Sequence, residues 1–220
     1  MSDPQAWTDV DAYVESHLVG VDPDLEAATR EAEAGGLPPI AVSPPQGKLL
    51  YLLAKSIGAG RILEIGTLGG FSTIWMARAL PADGRLVTLE LDSHHAEVAR
   101  RNLERAGVGG RVEVRVGPAL ETLPTLEDQG PFDLVFIDAD KANIPAYFDW
   151  SVRLGHSGTV IITDNVVRNG GLADPTSTDA NVKGVQAFHE MLAQRDDVEA
   201  TTIQTVGSKG WDGYNYAVVS

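Results

Sequence analysis

After residue 60 the apolar positions switch repeatedly between two periods. Short β-branched runs at 61–65, 85–90, 111–116, 132–137 and 158–163 predict strands, and segments of helical period at about 70–80, 93–106, 118–128 and 142–154 predict helices between them. Each helix is long enough for a right-handed crossover between parallel strands, so the pattern predicts a doubly wound α/β sheet. The last two runs, 198–206 and 213–219, are separated only by Gly207 to Asp212. That gap is too short for a crossover and predicts an antiparallel hairpin, so the sheet ends in a reversed strand. Before residue 60 the pattern is helical throughout. Thr8 is placed to cap a stripe of Val10, Tyr13, Val14, His17 and Leu18, and Ser43-Pro44 to open a helix carrying Leu49, Leu50, Leu52, Leu53 and Ile57. Residues 1–59 are therefore expected to form a helical cap over one mouth of a 60–220 core, the whole being one domain. Gly35 to Pro39 breaks two helices, and Val166 to Asp179 is a polar, glycine-containing loop long enough to be functional.

Charge narrows the partners. Seventeen Lys and Arg against 31 Asp and Glu leave −14 over 220 residues, with no basic patch to offset it, so nucleic acid and anionic membranes are excluded as expected partners. With no cysteine, disulfides, thiolate metal sites and thiol nucleophiles are excluded, and any metal must use oxygen or imidazole. The start of the chain has no basic segment followed by an apolar run, and no stretch approaches the roughly 18 apolar residues of a membrane helix, so a cytoplasmic protein is expected.

In an open α/β sheet ligands bind outside the carboxyl ends of the strands. The first strand runs into Glu64-Ile65-Gly66-Thr67-Leu68-Gly69-Gly70, with Phe71-Ser72 opening the next helix. The spacing is not that of a dinucleotide turn, and a carboxylate inside it would repel a pyrophosphate, so a cationic ligand is favoured. The second strand ends at Glu90, about twenty residues beyond Gly70, where an acidic side chain can take both ribose hydroxyls of a nucleoside. A nucleoside with a positive group and no diphosphate fits, and S-adenosylmethionine is the leading candidate. The fourth strand leads into Asp138-Ala139-Asp140-Lys141 and the fifth into Asp164-Asn165. These adjacent strand ends bring Asp138, Asp164 and Asn165 together as three oxygen donors suited to a hard divalent ion such as Mg²⁺. The competing readings are a helix cap at Asp138 and a turn at Asp164-Asn165. None of the five histidines lies at a strand end with a partner ligand, and His94 and His95 are read as solvated.

The run Arg61-Ile62-Leu63-Glu64-Ile65-Gly66-Thr67-Leu68-Gly69-Gly70-Phe71-Ser72, with Ile137-Asp138-Ala139-Asp140-Lys141 and Asp164-Asn165, resembles the cation-dependent O-methyltransferases, the catechol and caffeoyl-CoA group. The resemblance spans about residues 37 to 220. It implies a Rossmann-like seven-stranded sheet with the last strand antiparallel and helices on both faces, S-adenosylmethionine as donor, a Mg²⁺-type metal, a phenolic acceptor and a homodimer. Position by position it implies Glu64 near the methionine ammonium, and Gly66, Thr67 and Ser72 in the turn that receives the methionine end. It further implies Glu90 on the ribose, Val42 and Ala119 lining the donor pocket, and Asp138, Asp164 and Asn165 on the metal, Asp138 also lying near the donor. Lys141 matches the family's general base. Two departures fall on the acceptor side: Arg168 stands where many relatives carry tryptophan, and Lys183-Gly184-Val185-Gln186 replaces a frequent Arg-x-x-Asn.

The acceptor pocket is expected to draw on Val42, Asp140, Tyr147, Arg168 and Trp211, since loops at the carboxyl edge set specificity in such folds. Arg168 favours acceptors carrying a carboxylate or phosphate. In-line methyl transfer needs a deprotonated oxygen, which bidentate binding of a vicinal diol to a dication promotes, with Lys141 taking the proton in its neutral form. Two rivals share the sheet. A nicotinamide reductase would want the other glycine spacing and a catalytic Tyr or Ser with Lys, and a non-catalytic nucleoside-binding module would have no reason to gather Asp138, Asp164 and Asn165.

Overall fold

A computed structural model describes residues 3–220. Seven strands form one sheet in the order β3-β2-β1-β4-β5-β7-β6, with β1 Arg61–Ile65, β2 Arg85–Glu90, β3 Val112–Val116, β4 Leu134–Ile137, β5 Val160–Asp164, β6 Val198–Gly207 and β7 Gly210–Val219. The first five are parallel, and β7 runs antiparallel to both β5 and β6. Chain order reverses direction across the sheet between β1 and β4, and the carboxyl ends of those strands open the crevice where ligands bind in such sheets.

Alternation along the strands splits the core in two. Leu63, Ile65, Val135, Ile137 and Ile161 face the side covered by α7 (Ile144–Arg153) and α8 (Ala180–Leu192), where Phe148 and Phe188 pack. Ile62, Leu134, Phe136, Val160 and Ile162 face the side covered by α3 (Pro44–Ser56), α4 (Phe71–Ala79) and α5 (Ser93–Arg105). The parity puts Glu64 on the second side, level with Thr88 of β2.

Several boundaries differ from the sequence reading, each for a local reason. The first helix, α1 (Pro4–Val14), is capped by Asp3 rather than Thr8, with Pro4 in its first turn, and the Thr8 hydroxyl bonds back to the Pro4 carbonyl. Its stripe faces outward: Val10, Tyr13 and Leu18 are 61, 66 and 71% exposed. A helix at Pro23–Ala34, α2, is capped by Asp22 and packs against α5. Of the cap, the 38–46 stretch reaches the mouth of the sheet, while α1 lies against β6. The predicted 118–128 helix is α only at α6 (Ala119–Thr122) and continues as a 3₁₀ turn from Leu123, because Pro124 has no N–H to extend the α ladder. The hairpin ladder runs to Gly207↔Gly210, so its tip is Ser208-Lys209, and Trp211 and Asp212 belong to β7 rather than to a loop. No helix among the described residues is long and apolar enough to cross a membrane.

Candidate functional site

A cavity of about 760 Å³ opens at the carboxyl ends of β1, β2 and β4. On one side the chain leaves β1 through Gly66, whose φ of 103° suits glycine, and a Cβ there would stand 2.1 Å from the Asp138 carbonyl oxygen. The turn after β1 thus rests directly on the end of β4. Gly70, at φ 84°, opens α4 without a side-chain cap.

Glu64 lies under this turn and is fully buried. Its carboxyl accepts from Ser72 Oγ at 2.6 Å, Thr73 Oγ1 at 2.5 Å and Thr88 Oγ1 at 2.7 Å, and Thr88 is itself bonded to Thr67 Oγ1. Burial, reinforced by the charge of Asp138, pushes the acid up to about 7 against the opposing hydroxyl bonds. Strand parity turns its side chain toward α4, so Glu64 meets the cavity through its hydroxyl partners. Ser72, which does line the cavity, stands between. Glu90 lines the cavity and is held by backbone: Thr67 and Leu68 N–H donate to Oε2 at 3.2 and 2.7 Å, and Asp92 N–H to Oε1 at 3.0 Å. His95 stands 3.6 Å from Glu90 and also lines the cavity, so it is not the solvated side chain expected, whereas His94 is exposed and bonded to the Gly35 carbonyl. Val42, Gly66, Thr67 and Ala119 also line this half of the cavity.

On the other side, Lys141 is buried and donates from Nζ to Asp138 Oδ1 at 2.8 Å. Its backbone is pressed by α8, where a Cβ on Gly184 would lie 2.1 Å from the Lys141 carbonyl oxygen. Asp164, 4% exposed at the end of β5, accepts from Gln46 Nε2 at 2.6 Å and Asn165 N–H at 2.8 Å. Burial and the neighbouring Asp138 carboxylate raise its acid well above the usual range. Gln46 was not foreseen: it lies 118 residues away on α3, and a lone glutamine carries no local signal. Asn165 lines the cavity and, at φ 55°, begins a loop in which Arg168, Asn169 and Gly170 are also left-handed.

Asp138 and Asn165 line the same cavity, and the charge of Asp138 acts on Asp164. Among the described residues no three histidine or carboxylate side chains form a metal-holding group, so this set is two carboxylates and an amide. It fits a hard divalent cation by its chemistry: every donor is oxygen, and a buried Asp164 made unfavourable as an anion by Asp138 is stabilised by nearby positive charge. Asp140 and Tyr147 line the cavity but satisfy each other. The Tyr147 hydroxyl donates to Asp140 Oδ1 at 2.5 Å, Asn143 donates to Oδ2, and burial and the Asp140 carboxylate hold the phenol protonated. Arg168 lines the cavity, with NH1 3.8 Å from Asp212 Oδ2, so its charge is countered in part. Trp211 is not part of the cavity wall, contrary to expectation: its ring packs over Gly170 and its indole N–H bonds Gln204. A second depression of about 860 Å³ lies at the opposite, amino ends of the strands beside Arg61, Arg85 and Arg111 and holds none of the predicted site residues.

The chain is similar to known proteins over nearly its whole length. Residues 16–209 match the O-methyltransferase family model. A catechol O-methyltransferase of Mycobacterium tuberculosis is 58% identical over 211 residues, 96% of this chain and 95% of that protein, and one of Niastella koreensis is 50% identical over 98% of each. The crystal structure of an O-methyltransferase from Bacillus cereus in complex with SAH superposes with a TM-score of 0.97 at 52% identity, covering 99% of this chain and 100% of that one. A likeness of this extent in sequence and structure leaves neither rival reading standing, and the chain belongs to the O-methyltransferase family.

Proposed function

We propose that this protein transfers a methyl group from S-adenosylmethionine to one hydroxyl of a catechol-like vicinal diol, in a divalent-metal-dependent reaction. One observation carries the reading: a single cavity joins the glycine turn and Glu90 to Asp138, Lys141 and Asn165. The catechol O-methyltransferases among the relatives and the SAH-bound structural neighbour support the same donor and acceptor class.

Each residue then has a definable task. Glu90 accepts the donor's ribose hydroxyls while its backbone bonds keep it in place, and Ser72, fixed by Glu64, presents its oxygen toward the methionine end. Val42 and Ala119 give the apolar walls that exclude water from the donor. Asp138, Asp164 and Asn165 would hold the metal. Such an ion supplies positive charge that favours the ionised form of an acceptor hydroxyl. Lys141 is positioned to receive that hydroxyl proton at Nζ, with Asp138 orienting the ammonium that results. Positioning of acceptor oxygen, methyl carbon and sulfur in line is the main contribution of the fold.

The decisive experiment is methyl transfer to a vicinal diol and to a matched monophenol, with and without chelator. Turnover of the diol should vanish on chelation, return with Mg²⁺ or Mn²⁺, and exceed that of the monophenol by tenfold or more, about 1.4 kcal/mol or more of barrier. Full activity on the monophenol in excess chelator would overturn the metal assignment.

The family resemblance also implies a homodimer, and we include it in the proposal. The outward apolar positions Val10, Tyr13, Leu18 and Val21, the last 83% exposed, support an interface at the N-terminal helix.

A further inference from the structure

We propose that Asp212 is a positioning residue for the acceptor side of the cavity: from the hairpin it pins the loop that follows β5 and so fixes where Asn165 and Arg168 stand. The inference rests on the reading that these two residues face the acceptor. The loop needs an external hold. Asn165, Arg168, Asn169 and Gly170 have φ of 55, 56, 53 and 84°, and three of the four non-glycine residues in left-handed backbone among the described residues lie here. A long side chain such as Arg168 adopts that conformation only where its surroundings impose it.

The hold is visible atom by atom. Asp212 Oδ1 accepts from Val167 N–H at 3.0 Å and Arg168 N–H at 2.9 Å, and also from its neighbour Gly213 N–H at 3.0 Å. Main-chain bonds flank it, from Val166 N–H to the Gly213 carbonyl and from Asn169 N–H to the Trp211 carbonyl. Packing agrees: a Cβ on Gly213 would stand 2.6 Å from Val167 Cγ2, so the loop lies directly on the hairpin backbone. The other oxygen of Asp212 faces the Arg168 guanidinium at 3.8 Å. One carboxylate thus has two separable roles, an acceptor for loop amides and a counter-charge for Arg168. Among the described residues, the bonds of Asp212 go to the loop after β5 and to Gly213 rather than to the donor half built on β1 and β2.

The roles are separated by Asp212→Asn, which keeps an oxygen acceptor and drops the charge, and Asp212→Ala, which removes both. Amide exchange in the unmodified protein should show Val167 and Arg168 protected although they lie in a loop, and Asp212→Ala should speed both by about tenfold or more. With a catechol acceptor the same variant should raise KM about tenfold, while S-adenosylmethionine affinity measured by calorimetry stays within about twofold. Asp212→Asn should keep exchange protection and catechol KM within about threefold and increase the preference for an acidic catechol over a neutral one, because Arg168 loses its counter-charge. Unprotected amides in the unmodified protein overturn the proposal, whether or not any variant folds. So does Asp212→Ala with unaltered exchange and KM, and so does Asp212→Asn as defective as Asp212→Ala. Amide exchange and donor calorimetry need no acceptor, so failure of the catechol reading leaves the clamp independently testable.

Discussion

At the end of β1 a carboxyl group sits where water cannot reach it, and the protonation of Glu64 is therefore coupled to folding. In the unfolded chain the acid ionises near its ordinary value of 4.5, whereas in the folded protein it ionises near 7. Between those values the unfolded state releases a proton that the folded state retains, so this residue's contribution to stability is full below about 4.5, declines as pH rises and levels off above about 7. Over that window the loss is of the order of 3 kcal/mol. Glu64→Gln should flatten the decline, and urea unfolding of both proteins from pH 4 to 8 checks it; parallel curves would show that Glu64 does not titrate across the transition. At this scale the sequence was legible in kind and less so in direction. Glycine spacing and strand-end carboxylates mark the site residues, since chemistry at a sheet mouth uses few residue types. Whether a side chain enters the cavity or turns beneath it depends on strand parity against a neighbouring helix, so the bonds of Glu64 to Ser72 and Thr73 and the packing of the Trp211 ring over Gly170 are not legible in the sequence. Gln46, His95 and Asp212 act through partners 118, five and 44 to 45 residues away, and neither a lone glutamine nor a lone carboxylate marks such contacts.

Among the elements, α8 bears most directly on the proposed role of Lys141, because it packs against that residue from behind. Gly184 leaves no room for a Cβ, which would lie 2.1 Å from the Lys141 carbonyl oxygen, and the Lys141 Nζ bonds Asp138 from the same residue. Gly184→Ala forces backbone apart by a fraction of an ångström to an ångström, so kcat should fall by tenfold or more with donor affinity nearly intact; displacement of this size near reacting groups has costs of that order. Steady-state kinetics with donor calorimetry test this, and unchanged kcat would show that the lysine is located from β4 alone. Strands were legible to within two or three residues, because buried parallel strands are continuous apolar runs. Helix ends were harder: Asp3, not Thr8, caps α1, and Pro124 halts α6 within one turn. Competing caps and a proline in the middle of a periodic segment are decided by packing as much as by local preference.

For the whole molecule, the same N-terminal helix that fails to cover the mouth leaves apolar side chains in the open. If they bury against a second copy, the particle mass in solution should be twice 23.4 kDa, and Tyr13→Asp with Leu18→Asp should return it to one chain. Light scattering after gel filtration reads this directly, and a single-chain mass for the unmodified protein would refute the interface. The charge of −14 keeps such a particle dispersed without deciding which surface pairs. The seat of the β5 loop on the hairpin bears on how new specificities could be made on this scaffold. Residues 165–170 and 211–213 lie 40 and more positions apart, yet they form one mechanical part, since each supplies the bonds the other lacks. Transplanting the first stretch from a relative without the second would seat a foreign loop on a hairpin whose bonds and packing are matched to this one. The two stretches are best exchanged together, as one discontinuous cassette.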